Sequence, residues 1–260
     1  MNLTITAGYD GSFAAISLCE LLQRSGHKIN AVIVVSPFTI NRFRKLLTQQ
    51  GYHGITKAIN KLFNVGQNID SNNQQDLFLD KHSINERSLK KWCNKNDVNY
   101  IVVDNINSQK SINTLIKNKP DAVIYSGGGI LRKSFLDAAR HKIINMHSGP
   151  LPEIRGMNSM EWAILLGYRT DITIHMIDEG IDTGEIISLN SISLLPGDNI
   201  ETIRQKSVIA GIEKLIQLFT GLDNLDELKR YNNFEAKKNR QCYIMAPAIK
   251  EVLKEKLKNL

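Results

Sequence analysis

The chain has 260 residues, 42% of them hydrophobic, and a formal net charge of +7 from 33 basic and 26 acidic side chains. That is enough apolar chain for one large globular domain, with or without a tail. Cys19, Cys93 and Cys242 are too sparse and too far apart for a disulfide framework or a CxxC-type site, which leaves reduced thiols. The N-terminus lacks the basic and apolar regions of a signal peptide, and no apolar run approaches the ~20 residues of a membrane span. The expectation is a soluble, cytoplasmic protein with no membrane partner. A basic balance suits nucleic acid or anionic small molecules. With no RRM, KH or zinc-finger signature, and with lysines scattered over polar helix faces, small molecules are favoured over nucleic acid.

Residues 3–7, "LTITA", read as a short buried strand. "GYDGS" follows, then "FAAISLCELLQRSGH" with apolar residues at helical spacing and Gly26 near its stop. "INAVIVVS" is a second strand, ended by Pro37. Such a β-α-β unit implies a parallel pair with a right-handed crossover. The segment 38–85 opens with a basic stretch of helical pattern, "INRFRKLLTQQGYHGITKAINKLF", and continues as the polar "NVGQNIDSNNQQD". The alternation then returns: "NERSLKKWCNKND" helix, "VNYIVVD" strand, "SQKSINTLIKNK" helix closed by Pro120, "DAVIYS" strand, a "GGG" turn, "RKSFLDAARH" helix, "KIINMH" strand. "NSMEWAILLG" is a helix, "DITIHMID" a strand, and "GEIISLNSISL" a hairpin arm or edge. "NIETIRQKSVIAGIEKLIQLF" is a long closing helix, apolar at Ile203, Val208, Ile212 and Leu215. This rhythm predicts an α/β fold, a doubly wound, mostly parallel, Rossmann-like sheet of seven strands. It occupies 1–221, and a charged extension with one more helix, "AIKEVLKEKLKNL", occupies 222–260.

Ligands of such sheets bind at the carboxyl ends of the strands, and polar signals fall there. In "INMHSGPLPEIRGMN", residues 144–158, Asn145 and His147 end a strand on one face, because side chains alternate. "HMIDEGIDTGE" places Asp178, Glu179 and Asp182 in or after a turn set by Gly180 and Gly184. "SGGGIL", residues 126–131, has glycines that let a flat ligand approach backbone closely. An amide, an imidazole and a carboxylate in one crevice suit acyl transfer to an amine without a covalent enzyme intermediate. Asn145 can donate to an oxyanion, and His147 and Asp182 can carry the proton. His175, inside its strand, is read as at best a support to that site, and Met146, Met157 and Met160 as packing. Metal ligation by His147, His175 and Asp182 is a minor alternative, and no metal is expected.

On these two motifs the sequence resembles the folate-dependent formyltransferases, the group of glycinamide ribonucleotide formyltransferase and the catalytic domain of methionyl-tRNA formyltransferase. Asn145, His147, Leu151, Pro152, Gly156, His175, Asp182 and Gly184 stand at the matching places. The likeness is strong over roughly 120–190 and looser over 1–35 and 86–119. It implies 10-formyltetrahydrofolate as the formyl donor, with Asn145, His147 and Asp182 as the catalytic triad. It also implies a cofactor site on Gly128, Gly129, Ile130 and Leu131 with Asp178, Glu179 and Gly180, and a cis bond into Pro152.

The loop after the histidine reads "SGPLP" where the family has Pro-Ser-Leu-Leu-Pro, and "GYDGS" lacks the form of the glycinamide enzyme's phosphate loop. About forty residues follow the closing helix, too few for the tRNA enzymes' C-terminal barrel. By resemblance the acceptor is then the amino group of a nucleotide-linked amino sugar, and the tail an interface of a homodimer. The alternatives are another amine (glycinamide ribonucleotide, a hydroxyornithine type or methionyl-tRNA), a 10-formyltetrahydrofolate hydrolase, and a non-catalytic nucleotide-binding protein.

Overall fold

The computed structural model describes residues 1–36 and 73–259. The basic helical stretch expected within 38–85 lies outside the described residues. Nine strands are described: β1 Asn2–Ala7, β2 Lys28–Val35, β3 Asn99–Val103, β4 Ala122–Ser126, β5 Ile143–His147, β6 Ile154–Gly156, β7 Asp171–Met176, β8 Ile186–Ser191 and β9 Arg240–Cys242. The helices are α1 Phe13–Arg24, α2 Gln74–Lys81, α3 Leu89–Lys95, α4 Gln109–Asn118, α5 Lys133–Ala138, α6 Ser159–Leu166, α7 Ile200–Phe219 and α8 Pro247–Lys258. Seven strands form one sheet in the order β3-β2-β1-β4-β5-β7-β8. The pairs from β3 to β5 are parallel, and β7 and β8 run antiparallel at one side. The doubly wound, mostly parallel sheet expected from the alternation of elements is the architecture observed.

The central strands are buried on both faces, as covering helices require: Leu3 through Ala7 of β1 are all buried. One apolar layer gathers Leu3, Ile5, Leu18, Leu22, Trp92, Ile144, Ile174 and Phe219 beneath α1, α3 and α7. The opposite layer gathers Ile33, Val103, Leu115, Val123, Phe135 and Ile143 beneath α4 and α5. The helix starts are local chemistry. Ser12, Ser88 and Ser108 each accept from a first-turn backbone N–H, which satisfies a donor the helix cannot. The cap at Ser88 starts α3 at Leu89, later than the pattern predicts. At the other end α5 stops at Ala138, because Arg140 and His141 turn to positive φ.

α7 is a 20-residue helix fixed by a capping box between Asn199 and Thr202. It buries Ile203, Ile212, Leu215 and Phe219, each contributing roughly 1.5–3 kcal/mol of burial. Val208 is only half-buried. At Gly211 the helix passes close to Met146 of β5 and Ile172 of β7, so the longest helix backs the strand that carries the amide–imidazole pair. The residues after 222 run back across the domain. β9 pairs in parallel with β6, and Leu253 and Leu257 of α8 bury against Met160 and Ile164 of α6. Met146 and Met160 pack as expected, whereas Met157 is exposed, because β6 leads it out to the surface. No helix among the described residues is long and apolar enough to cross a membrane.

Candidate active site

β5 alternates its side chains between the two layers. Ile144 packs in one and Ile143 in the other, so Asn145 and His147 share the face of Ile143. β7 pairs antiparallel with β5 and puts His175 directly opposite Asn145. The two rings of His147 and His175 lie edge to face with centroids 6.1 Å apart.

A chain of hydrogen bonds then fixes which atoms donate. The Nδ1 of His175 lies 2.7 Å from the carbonyl of Met176, so that nitrogen carries the proton. Its Nε2 must therefore accept, and the Nδ2 of Asn145 donates to it across 3.1 Å. The amide of Asn145 thus presents nitrogen rather than oxygen on this side and keeps a second N–H in hand. Burial, opposed by the nearby Asp182 carboxylate and reinforced by His147, lowers the His175 pKa to about 4. The ring is neutral at neutral pH, as the donor chain requires. His147 is held differently: its Nε2 donates to the carbonyl of Ile154 at 2.9 Å.

Asp182 reaches both rings from the loop between β7 and β8. Its Oδ2 stands 3.5 Å from His147 Nδ1, and its Oδ1 stands 3.6 Å from His175 Nε2. The backbone N–H of Gly156, at the end of β6, donates to Oδ2 at 2.8 Å. Asp182 sits at φ 53°, in the left-handed region that Asp enters more readily than most residues. The structure therefore brings Asn145, His147 and Asp182 together, with His175 between them.

The loop before Asp182 holds itself. The carboxylate of Asp178 accepts from Gly180 N at 3.0 Å and from Thr183 Oγ1 at 2.6 Å. The side chain of Asp178 is therefore engaged within the turn. Glu179 faces outward and pairs with Lys133 of α5 at 3.2 Å. Across from this loop, Gly127, Gly128 and Gly129 take φ of 112°, 130° and 106°, a path only glycine follows at low cost. The Tyr125 hydroxyl pins the arc, donating to Gly129 O at 2.8 Å and accepting from Gly129 N at 3.1 Å. Burial raises the Tyr125 pKa, against the effect of the Gly129 bond and with that of Asp182, so the phenol stays a donor. Ile130 is 74% exposed, and Leu131 packs against the layer below α4 and α5. Beside Asn145 opens a small cavity of about 200 Å³ lined by Ala14, Gly127, Met146, Ser148 and Ser207 among others.

The first loop, "GYDGS", is engaged in structure: Ser12 caps α1, and Asp10 accepts from Lys90 N and from Tyr100 OH, both at 2.8 Å. Between β5 and β6 the chain is cis at Leu151–Pro152. Thr173 of β7 holds this turn from below, donating to Gly149 O at 2.7 Å and accepting from Leu151 N at 3.1 Å.

Of three supporting residues, the sequence reading gave His175 at best a supporting place and missed Arg155 and Asn233. His175 was visible as a histidine in an apolar strand, but its position opposite Asn145 depends on an antiparallel register that the sequence does not declare. Arg155 stood inside the quoted motif as a charge among apolar neighbours; it is 8% exposed and donates to Ile181 O at 2.9 Å and Asn239 O at 3.2 Å. Asn233, in the tail, carried no signal. Among the described residues no group of three or more His, Cys, Asp or Glu side chains is disposed to hold a metal ion.

Comparison with known proteins bears on this geometry. Residues 10–218 match the family model described as Formyl transferase. Methionyl-tRNA formyltransferase of Thermodesulfovibrio yellowstonii is 38% identical over 101 residues, which is 38% of this chain and 33% of that protein. The chain thus matches only a third of that relative's length. Phosphoribosylglycinamide formyltransferase from Bacillus halodurans superposes with a TM-score of 0.55 at 18% identity, over 87% of this chain and 97% of its own. A sugar N-formyltransferase from Shewanella sp. superposes with a TM-score of 0.59 at 13% identity, over 99% of this chain and 86% of its own. These structures share the fold, and the family model spans six of the sheet's seven strands, β2 to β5 with β7 and β8, and both segments that meet at Asp182: the chain belongs to the formyl transferase family.

Proposed function

We propose that this chain transfers a formyl group from 10-formyltetrahydrofolate to a primary amine by direct attack, with Asn145, His147 and Asp182 as the catalytic groups. The carrying observation is their convergence: Asp182 lies 3.5 Å from His147 and 3.6 Å from His175, which in turn holds the amide of Asn145 at 3.1 Å.

The residues present fit the donor. A side chain added at Gly129 would meet nothing within 4 Å, so the glycine arc borders open space at that residue. Ile130, exposed beside it, offers an apolar face of the kind a flat heterocycle covers. Gly128 to Leu131 on one wall and Asp178 to Gly180 on the other would hold it. When bound, the folate supplies an activated formyl carbonyl. Asn145 turns its second N–H toward the negative charge that develops on the formyl oxygen; such a donor is worth ~10²–10³ in rate. Asp182 accepts the proton shed by the attacking amine, directly or through a water. His147 faces Asp182 with Nδ1 while Ile154 anchors its Nε2–H. The protonated ring would thus have an acceptor at each nitrogen, and the pair can hold the proton until the leaving nitrogen takes it. No serine or cysteine nucleophile is required.

For the acceptor we propose the amino group of a nucleotide-linked amino sugar. The net charge of +7 suits a diphosphate carrier, and the superposition on the Shewanella sugar N-formyltransferase covers 99% of this chain. The 38% identity to the Thermodesulfovibrio enzyme favours a second acceptor, methionyl-tRNA. The test is release of tetrahydrofolate from 10-formyltetrahydrofolate in the presence of amino-sugar nucleotides, glycinamide ribonucleotide, N-hydroxyornithine or methionyl-tRNA. Amine-dependent release, fastest with an amino-sugar nucleotide, is expected. Equal release without any amine would replace transfer by hydrolysis, and no release with any of them would overturn the reading.

A further inference from the structure

We infer that Asn233 positions the Asp182 carboxylate, so that the segment 231–242 of the C-terminal tail is a working part of the active site. The inference rests on the proposed formyl transfer. Asp182 makes its contacts from a left-handed residue in a loop, and such a residue stays in place only where its surroundings over-determine it. The loop's own bonds stop at Thr183, whose hydroxyl reaches back to Asp178. The carbonyls on either side of Asp182 depend on other segments. Asn233 is 5% exposed, and its Nδ2 donates to Asp182 O at 3.3 Å and to Gly184 O at 3.0 Å. One amide thus spans the backbone from the carboxylate-bearing residue to the glycine that follows.

The neighbouring contacts point the same way. Tyr231 exchanges both backbone hydrogen bonds with Ile186 at the start of β8, at 2.9 and 2.7 Å, which brings the tail beside the loop. Arg155 bridges Ile181 O and Asn239 O, tying the residue before Asp182 to the same stretch of tail. Met157 N donates to Cys242 O at 3.0 Å, just beyond the Gly156 N–H that holds Asp182 Oδ2. The carbonyls of Ile181, Asp182 and Gly184 are each held, and each hold leads to the tail or is made by it. Asn233 touches no reacting atom; it acts through Asp182.

The experiment uses the full chain with Asn233→Leu, which keeps the branching at Cγ and removes the donors, and Asn233→Asp, which keeps the shape and removes the donors. The amine panel above supplies the acceptor. Both variants are expected to lose roughly 10- to 100-fold in kcat, the scale of a misplaced catalytic group, with the KM for 10-formyltetrahydrofolate within twofold of wild type. The thermal midpoint of Asn233→Leu is expected to stay within a few degrees. Wild-type kcat in either folded variant overturns the inference. A rise in KM that accounts for the whole loss also overturns it, as does a loss that follows only the fraction unfolded. An inactive wild type sinks the formyl-transfer reading and this one with it, whereas an active wild type with equally active variants sinks the positioning role alone.

Discussion

The end of β5 and the loop between β7 and β8 deliver the two halves of the candidate site by different means. On β5, a strand's alternation places Asn145 and His147, and the sheet around them supplies the rigidity. The strand is paired on both sides, with β4 and β7, and backed by α7 at Gly211. The loop has no such frame. Asp182 is set by Gly156, 26 residues away, and by Asn233, 51 residues away. A group on a central strand inherits the fold's stability, whereas a group on a loop is only as well placed as the contacts that hold that loop.

Removing the group itself from each half tests whether both take part in the chemistry. Asp182→Ala is expected to lower turnover by roughly 10²–10⁴, the range of a lost acid–base group, and Asn145→Ala by roughly 10²–10³, the range of a lost oxyanion donor. Both are read from steady-state kinetics alongside circular dichroism. Wild-type rates in the two well-folded variants would leave the geometry without a catalytic meaning.

A methyl group added behind each half tests how much each can yield. A Cβ at Gly184 would meet the carbonyl of Met176, which is backbone of the sheet and cannot step aside. A Cβ at Gly149 would meet side chains, Ser159 Cβ at 2.5 Å and His147 Nε2 at 3.0 Å. Gly184→Ala is expected to cost about 3–4 kcal/mol and Gly149→Ala about 1–3 kcal/mol in urea unfolding. Gly184→Ala should also lose more activity, because the loop must leave its place. The reverse order would mean that the strand half is the more tightly constrained.

The same contrast explains what the sequence made legible. The sheet, its helices and the pair Asn145 and His147 follow from short-range patterns: alternation, helical spacing, serine caps, and glycine and proline punctuation. The meeting with Asp182 was legible only coarsely, from the rule that segments at the carboxyl ends of strands line one crevice and from the paired motifs of a resemblance, since nothing local says where a loop carboxylate will point. Asn233 was illegible because an asparagine in a polar tail is the commonest of surface residues until that tail is laid against a particular loop. Arg155 and His175 fall between. His175 announced itself as a polar residue in an apolar strand and Arg155 went unread, but the role of each depends on the amide of Asn145 or the carbonyl of Ile181, which only the folded register brings near.

His175 is where the halves touch, and it gives the smallest and most graded expectation. Its pKa falls from 6.5 to about 4, chiefly by burial, with Asp182 opposing and His147 reinforcing the shift. A histidine with a depressed folded pKa binds its proton more readily in the unfolded chain, so between pH 6.5 and 4 stability rises with pH. Acidifying through that window should remove up to about 3 kcal/mol, and below it this residue should add no further loss. The full contribution is present above pH 6.5. His175→Gln stays neutral and should flatten that part of the curve, which urea titrations at half-unit pH steps would show as a converging difference from wild type. Because Nε2 accepts from Asn145, its protonation would turn that hydrogen bond into a clash of donors while drawing Asp182 closer. The strand half would loosen as the loop half tightened. An unchanged slope in the variant would mean that other groups carry the acid sensitivity, and that the contact between His175 and Asn145 is not what joins the two halves.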